Sequence, residues 1–213
     1  MYQSLIKIGL EKYLKEYFFE KEWLFERYLE NLDIFVSSKD CSQKDILKNK
    51  FKENLSHLSL NDHLNEVMVA CAFYPKGLFQ KESKGVKSSD IVDCGVEIEI
   101  KTINADSNEI ERIKVLKPNS MRDNLPKDLG YELRICEKFK QRIEKAKKQI
   151  KNNGVVYIVW DSTLVVDWEN RKNMIEILFK KLIELEESIY PDLTIKTIFF
   201  GDLREIIASQ KRN

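Results

Sequence analysis

The chain has no Cys-x-x-Cys pair: Cys41, Cys71, Cys94 and Cys136 are scattered, and histidine occurs only at His57 and His63. That inventory argues against a zinc centre. Isolated thiols fit the reduced cysteines of a cytoplasmic protein. The opening Met1-Tyr2-Gln3-Ser4-Leu5-Ile6-Lys7 lacks a secretory apolar core. The longest apolar run, Gly154 to Trp160, is too short to span a bilayer, so no membrane contact is expected. Formal net charge is only +1, so the total makes no electrostatic case for a polyanionic partner. Internal repeats and low-complexity linkers are also missing.

What is present is globular. The chain has 213 residues, enough for one domain with a sizeable core, or for a core and an appendage. With 43% hydrophobic and 33% charged residues, it can bury a core and is not of disordered composition.

Residues 1–56 read as an N-terminal helical region. Leu5, Ile8, Tyr13, Tyr17, Trp23, Phe25, Tyr28, Leu29 and Leu32 fit two or three amphipathic helices, with a break at Ser37-Ser38-Lys39-Asp40. Residues 57–213 form the second expected unit. Asn61 is placed to cap a helix to Phe73, which Pro75 and Gly77 end. A short strand at Leu78 to Lys81 and a hairpin over 88–102 follow. Residues 103–130 read as irregular, with a strand at Glu109 to Val115. A helix from Tyr131 to Lys151 has its stripe at Ile135, Phe139, Ile143, Ala146 and Ile150, and Gly154 fits its stop. Val155 to Trp160 is a near-continuous apolar strand, as in a sheet covered on both faces. A helix over 170–188, a strand at Thr194 to Phe200 and a last helix with Asp202 and Glu205 at capping-box spacing complete the order. This succession predicts an α/β fold, a mixed sheet flanked by helices.

The most informative stretch is Asp90-Ile-Val-Asp-Cys-Gly-Val-Glu-Ile-Glu-Ile-Lys101. If Cys94-Gly95 is a two-residue turn, Asp93 pairs with Val96, Ile91 with Ile98 and Asp90 with Glu99. Alternation then puts Glu97, Glu99 and Lys101 on one face with Asp90 opposite Glu99. Two facing carboxylates repel and resist joint ionisation. A hard divalent cation such as Mg²⁺ removes both penalties, and Lys101 is then placed to hold a water or offset negative charge. A loop of residues 92–95 would instead oppose Asp90 to Glu97. The same alternation also describes a half-exposed strand with ordinary surface charge.

Charge is uneven downstream. Residues 111–151 hold thirteen Lys/Arg against six Asp/Glu, a local net of +7. Arg112, Lys114, Lys117, Arg122 and Lys127 fall on the expected loop, which suits contact with a groove or with nucleic-acid phosphates, or plain solvation. Lys138, Arg142, Lys145, Lys148 and Lys151 lie off the apolar stripe of the next helix, which suits phosphate neutralisation or plain solvation.

Ser89-Asp90, eight residues, then Glu99-x-Lys101 resembles the signature of the PD-(D/E)XK nucleases, the superfamily of restriction endonucleases and many repair nucleases. The helix, strand, hairpin, helix, strand order over about residues 60–160 is similar to their common core, about half of the chain. The family's usual proline is replaced by Ser89. Gly95-Val-Glu-Ile-Glu-Ile-Lys-Thr-Ile103 also looks something like the mismatch-repair nicking branch, with two residues added before the lysine. The resemblance implies that Asp90 and Glu99 hold Mg²⁺ (or Mn²⁺) and that Lys101 contacts the attacking water. It implies Glu66 as an additional acidic ligand, with Glu97 the alternative on the strand. Lys145 and Gln149 match the position of a helix residue near the site. The implied function is a Mg²⁺-dependent endonuclease on double-stranded DNA, foremost a type II restriction enzyme, and a homodimer if both strands are cut. A repair or nicking nuclease and a non-catalytic nucleic-acid-binding module are the alternatives.

Overall fold

A computed structural model describes residues 2–10, 22–51, 57–81, 88–103, 131–151, 153–160 and 168–210. The expected strand at Glu109 to Val115 lies outside them. The helices are α1 (Gln3–Ile8), α2 (Glu22–Ser37), α3 (Cys41–Lys50), α4 (His57–Phe73), α5 (Tyr131–Lys147), α6 (Trp168–Ile189) and α7 (Phe200–Ser209). The strands are β1 (Leu78–Phe79), β2 (Ile91–Asp93), β3 (Val96–Ile103), β4 (Gly154–Trp160) and β5 (Leu193–Phe199). They form one mixed sheet in the order β1-β2-β3-β4-β5. β1–β2 and β2–β3 pair antiparallel, β3–β4 and β4–β5 parallel. The protein is thus α/β, with helices on both faces of a mixed sheet.

Period-two alternation builds the two layers. Ile98 and Ile100 of β3, with Tyr157 and Val159 of β4, join an apolar cluster with α1, α2, α3, α4 and α7. Val156, Ile158 and Trp160 of β4 point the other way and pack with α5, α6 and β5. β4 is therefore buried on both faces, as its unbroken apolar run requires. On α5, Ile135, Phe139, Ile143 and Ala146 are all buried, and Ile150 just beyond the helix completes the stripe. Leu5, Tyr28, Leu32, Phe35, Leu47 and Phe51 belong to the same cluster as α4 and β3, so the N-terminal helices pack directly on the sheet's core.

Three local readings are corrected. α4 begins at His57, and Asn61 is buried within it instead of capping it. Gly154 opens β4, and α5 ends earlier, at Lys147. The glycine is needed for close approach: a Cβ there would sit 2.7 Å from the Glu97 carbonyl oxygen and 2.8 Å from Ile150 Cγ2. The last helix starts at Phe200 with Phe199 as N-cap, so Asp202 lies in its first turn, where a carboxylate favours the helix dipole, and makes no capping box.

The break after α2 is sharp. Asp40 caps α3 by accepting from the Gln43 N–H at 2.8 Å. Lys39 turns inward and donates to the carbonyls of Pro75 (2.9 Å) and Gly77 (2.7 Å), with its ammonium 4.6 Å from the Phe35 ring centre. Gln43 brackets β1, accepting from the Phe79 N–H at 2.7 Å and donating to its carbonyl at 3.2 Å. These bonds fix the turn that carries the chain from α4 into the sheet edge beside β2. Among the described residues, no helix is long and apolar enough to cross a membrane, and the four cysteines are free thiols.

Candidate active site

The β2–β3 hairpin closes with Cys94 at φ 48° and Gly95 at φ 82°. Two consecutive left-handed residues make the tight two-residue loop that suits strand twist. The register follows from it: Asp93 opposes Val96, Val92 opposes Glu97 and Ile91 opposes Ile98. The alternative loop over 92–95, which would oppose Asp90 to Glu97, is overturned by this register. Glu97 lies nearer the hairpin tip, where its Oε2 accepts from the Lys151 N–H just beyond α5. The structure does not bring it to Asp90.

Beyond Ile91 and Ile98 the backbone ladder gives way to side chains. The Ile100 N–H donates to Oδ2 of Asp90 at 2.8 Å, and the Asp90 N–H donates to Oε2 of Glu99 at 3.1 Å. Each carboxylate thus satisfies a backbone donor on or beside the other's strand, which pins the two acids together. Asp90 is anchored on its other side by the Gln80 N–H, which donates to its carbonyl at 3.0 Å. Lys101, on the same face of β3 as Glu99, forms an ion pair with Glu99 Oε1. Glu99 is fully buried, whereas the Lys101 side chain keeps 16% of its surface open to solvent.

Burial dominates the electrostatics. It raises the Asp90 carboxyl well above its ordinary value, and the charges of Glu66 and Glu99 push it further. Burial also pushes Glu99 up to about 7, against the opposing pull of the Lys101 ammonium. Glu66 reaches this site from α4, on the opposite layer. It is buried, not the exposed helix carboxylate that its sequence context equally allows, with Oε2 2.6 Å from Lys50 Nζ and Oε1 3.2 Å from His63 Nδ1. Burial works to raise Glu66 as well, but Lys50 and His63 outweigh it and hold the group below its ordinary value.

Asp90, partly buried, and Glu99, fully buried, are close oxygen donors that each resist ionisation without a counter-charge, the chemistry that suits a hard divalent cation. A cation there would take the place of a proton. Among the described residues, no three His, Cys, Asp or Glu side chains gather as a ready-made metal centre. Glu66 is already engaged by Lys50 and His63.

The remaining expected residues divide. Arg112, Lys114, Lys117, Arg122 and Lys127 lie outside the described residues. Gln149 is half-buried and its Nε2 reaches the Ser88 carbonyl, just before β2, at 3.4 Å. Lys145 is exposed on α5. Lys50, His63 and the buried Asn65–Thr102 bond (3.0 Å) were not anticipated. A signal for Lys50 was present: Gln43, Leu47 and Lys50 follow i, i+4, i+7 and form the buried stripe of α3. Searches against protein families, curated proteins and solved structures find no match to this chain.

Proposed function

We propose that this chain is a Mg²⁺-dependent endonuclease of the PD-(D/E)XK kind, hydrolysing phosphodiester bonds in double-stranded DNA in the manner of a type II restriction enzyme. The observation that carries the reading is the mutual pinning of Asp90 and Glu99, with Lys101 ion-paired beside them. An ordinary surface strand has no reason to pin a fully buried acid against a partly buried one.

In this reading Asp90 and Glu99 hold Mg²⁺, for which Mn²⁺ can substitute. The bound cation supplies Lewis acidity toward a water and offsets charge on the phosphate. Lys101 leaves Glu99 to orient the attacking water in line with the scissile bond, and its ammonium offsets the negative charge that develops. Asp90, held at its backbone by Gln80, keeps the pair fixed at the sheet edge. Lys145 and the basic segment with Arg112, Lys114, Lys117, Arg122 and Lys127 bind backbone phosphates, which makes affinity fall with salt. Gln149, just beyond α5, braces the approach to β2. One site per chain calls for a homodimer to cut both strands.

Incubation of supercoiled plasmid with the protein and Mg²⁺ tests the proposal, with EDTA and Lys101→Ala as controls. The expected outcome is cleavage by the wild type alone, while Lys101→Ala still retards DNA in a gel. Nicked circles without linear product would favour the nicking branch. Retardation without any cleavage, under varied metal and salt, would favour a binding module, and wild-type turnover by Lys101→Ala would refute the assignment of Lys101.

A further inference from the structure

We propose that Lys50 is a positioning residue that holds Glu66 away from the cation carried by Asp90 and Glu99; this rests on the metal-site reading above. Lys50 is the last residue of α3, only 7% exposed, on the helix face shared with Gln43 and Leu47. Its Nζ lies 2.6 Å from Glu66 Oε2, and His63 engages the other oxygen at 3.2 Å. Phe51, the next residue, packs edge-on against the His63 ring with centres 6.3 Å apart. The end of α3 thus delivers Lys50 directly to Glu66 and, through Phe51, steadies its second partner.

The consequence is electrostatic. Asp90 and Glu99 both feel the negative charge of Glu66, and Asp90 also feels the positive charge of Lys50. Lys50 therefore pairs the neighbouring Glu66 with a built-in cation. The divalent ion is left with a two-carboxylate site and an ammonium competing nearby. Removing Lys50 frees Glu66 and deletes that competitor, so cation affinity rises. A purely structural lysine has no reason to raise it.

The test is Mn²⁺ binding to the full chain, followed by loss of the free-ion EPR signal. Lys50→Met should bind about tenfold more tightly than wild type, the low end of what one neighbouring charge does to a proton's affinity. Lys50→Arg, which keeps the charge, should stay near wild type. Lys50→Met leaves a buried carboxylate uncompensated and can fail to fold. The double variant Lys50→Met/Glu66→Gln removes both charges and covers that case. It should match wild type, because Glu66 is not a ligand while Lys50 holds it. Unchanged or weaker binding by Lys50→Met, or binding by the double variant well below wild type, would overturn the inference. The metal-site reading is tested separately by Asp90→Asn: lost Mn²⁺ binding supports it, and retained binding refutes that reading whatever the Lys50 variants do. Absence of binding in wild type and Lys50→Met alike would overturn both.

Discussion

Replacing Glu99 by Gln removes a buried carboxyl that burial pushes from an ordinary value of 4.5 up to about 7. In the unfolded chain the group loses its proton near the ordinary value; in the folded chain it retains the proton longer. The folded state therefore binds more protons between those values, and its stability falls as pH rises. The contribution is full below pH 4.5, is lost through the interval up to about 7, and is level above it. At 1.36 kcal/mol per pKa unit the loss is on the order of 3 kcal/mol, or roughly 8 °C in Tm for a chain of this size. Glu99→Gln keeps an oxygen for the Asp90 N–H but cannot ionise, so its stability curve lacks this decline. Urea unfolding in EDTA, followed by tryptophan fluorescence from pH 4.5 to 8, reads the difference between the two proteins. The variant should gain on the wild type by about 3 kcal/mol across that range. Excess Mg²⁺ should restore the wild type at pH 8 by binding the folded form, and leave Glu99→Gln little changed. Parallel wild-type and variant curves would refute the reasoning, because they would mean that Glu99 titrates alike in both states.

Lys39→Met keeps the apolar stem but leaves the Pro75 and Gly77 carbonyls without their buried donor; urea unfolding should show a loss of about 3 kcal/mol. Gly154→Ala drives a Cβ against the Glu97 carbonyl oxygen, and the same assay should show a loss of about 2 kcal/mol from the displaced β3–β4 pairing.

The hairpin was legible because strand alternation has a period of two and Cys94-Gly95 offers few ways to turn. Once that turn is fixed, Asp90 must face Glu99. The unbroken apolar run of β4 and the stripe of α5 were equally direct, since each reports only which surfaces are buried. What could not be read locally was the destination of polar groups that bury. Lys50 looks like a solvated helix end, and only the tertiary fold brings the end of α3 to Glu66 on α4. Asn61 looks like a cap because Asn is favoured at that position, but here it is buried inside a helix that begins four residues earlier. Gly154 looks like a helix stop, yet its small size serves contact with β3, a constraint set by a strand more than fifty residues away. Glu66 shows the same limit: the resemblance implied an acid near the site, but not the two partners that engage it.

Cleavage of supercoiled plasmid by the wild type, Glu97→Gln and Glu99→Gln, run side by side with Mg²⁺, tests the central claim most directly. The account predicts that the wild type and Glu97→Gln cut at similar rates, because Glu97 is committed to the Lys151 N–H near the hairpin tip, and that Glu99→Gln does not cut. Intact plasmid with the wild type, or cleavage by Glu99→Gln at the wild-type rate, would contradict it.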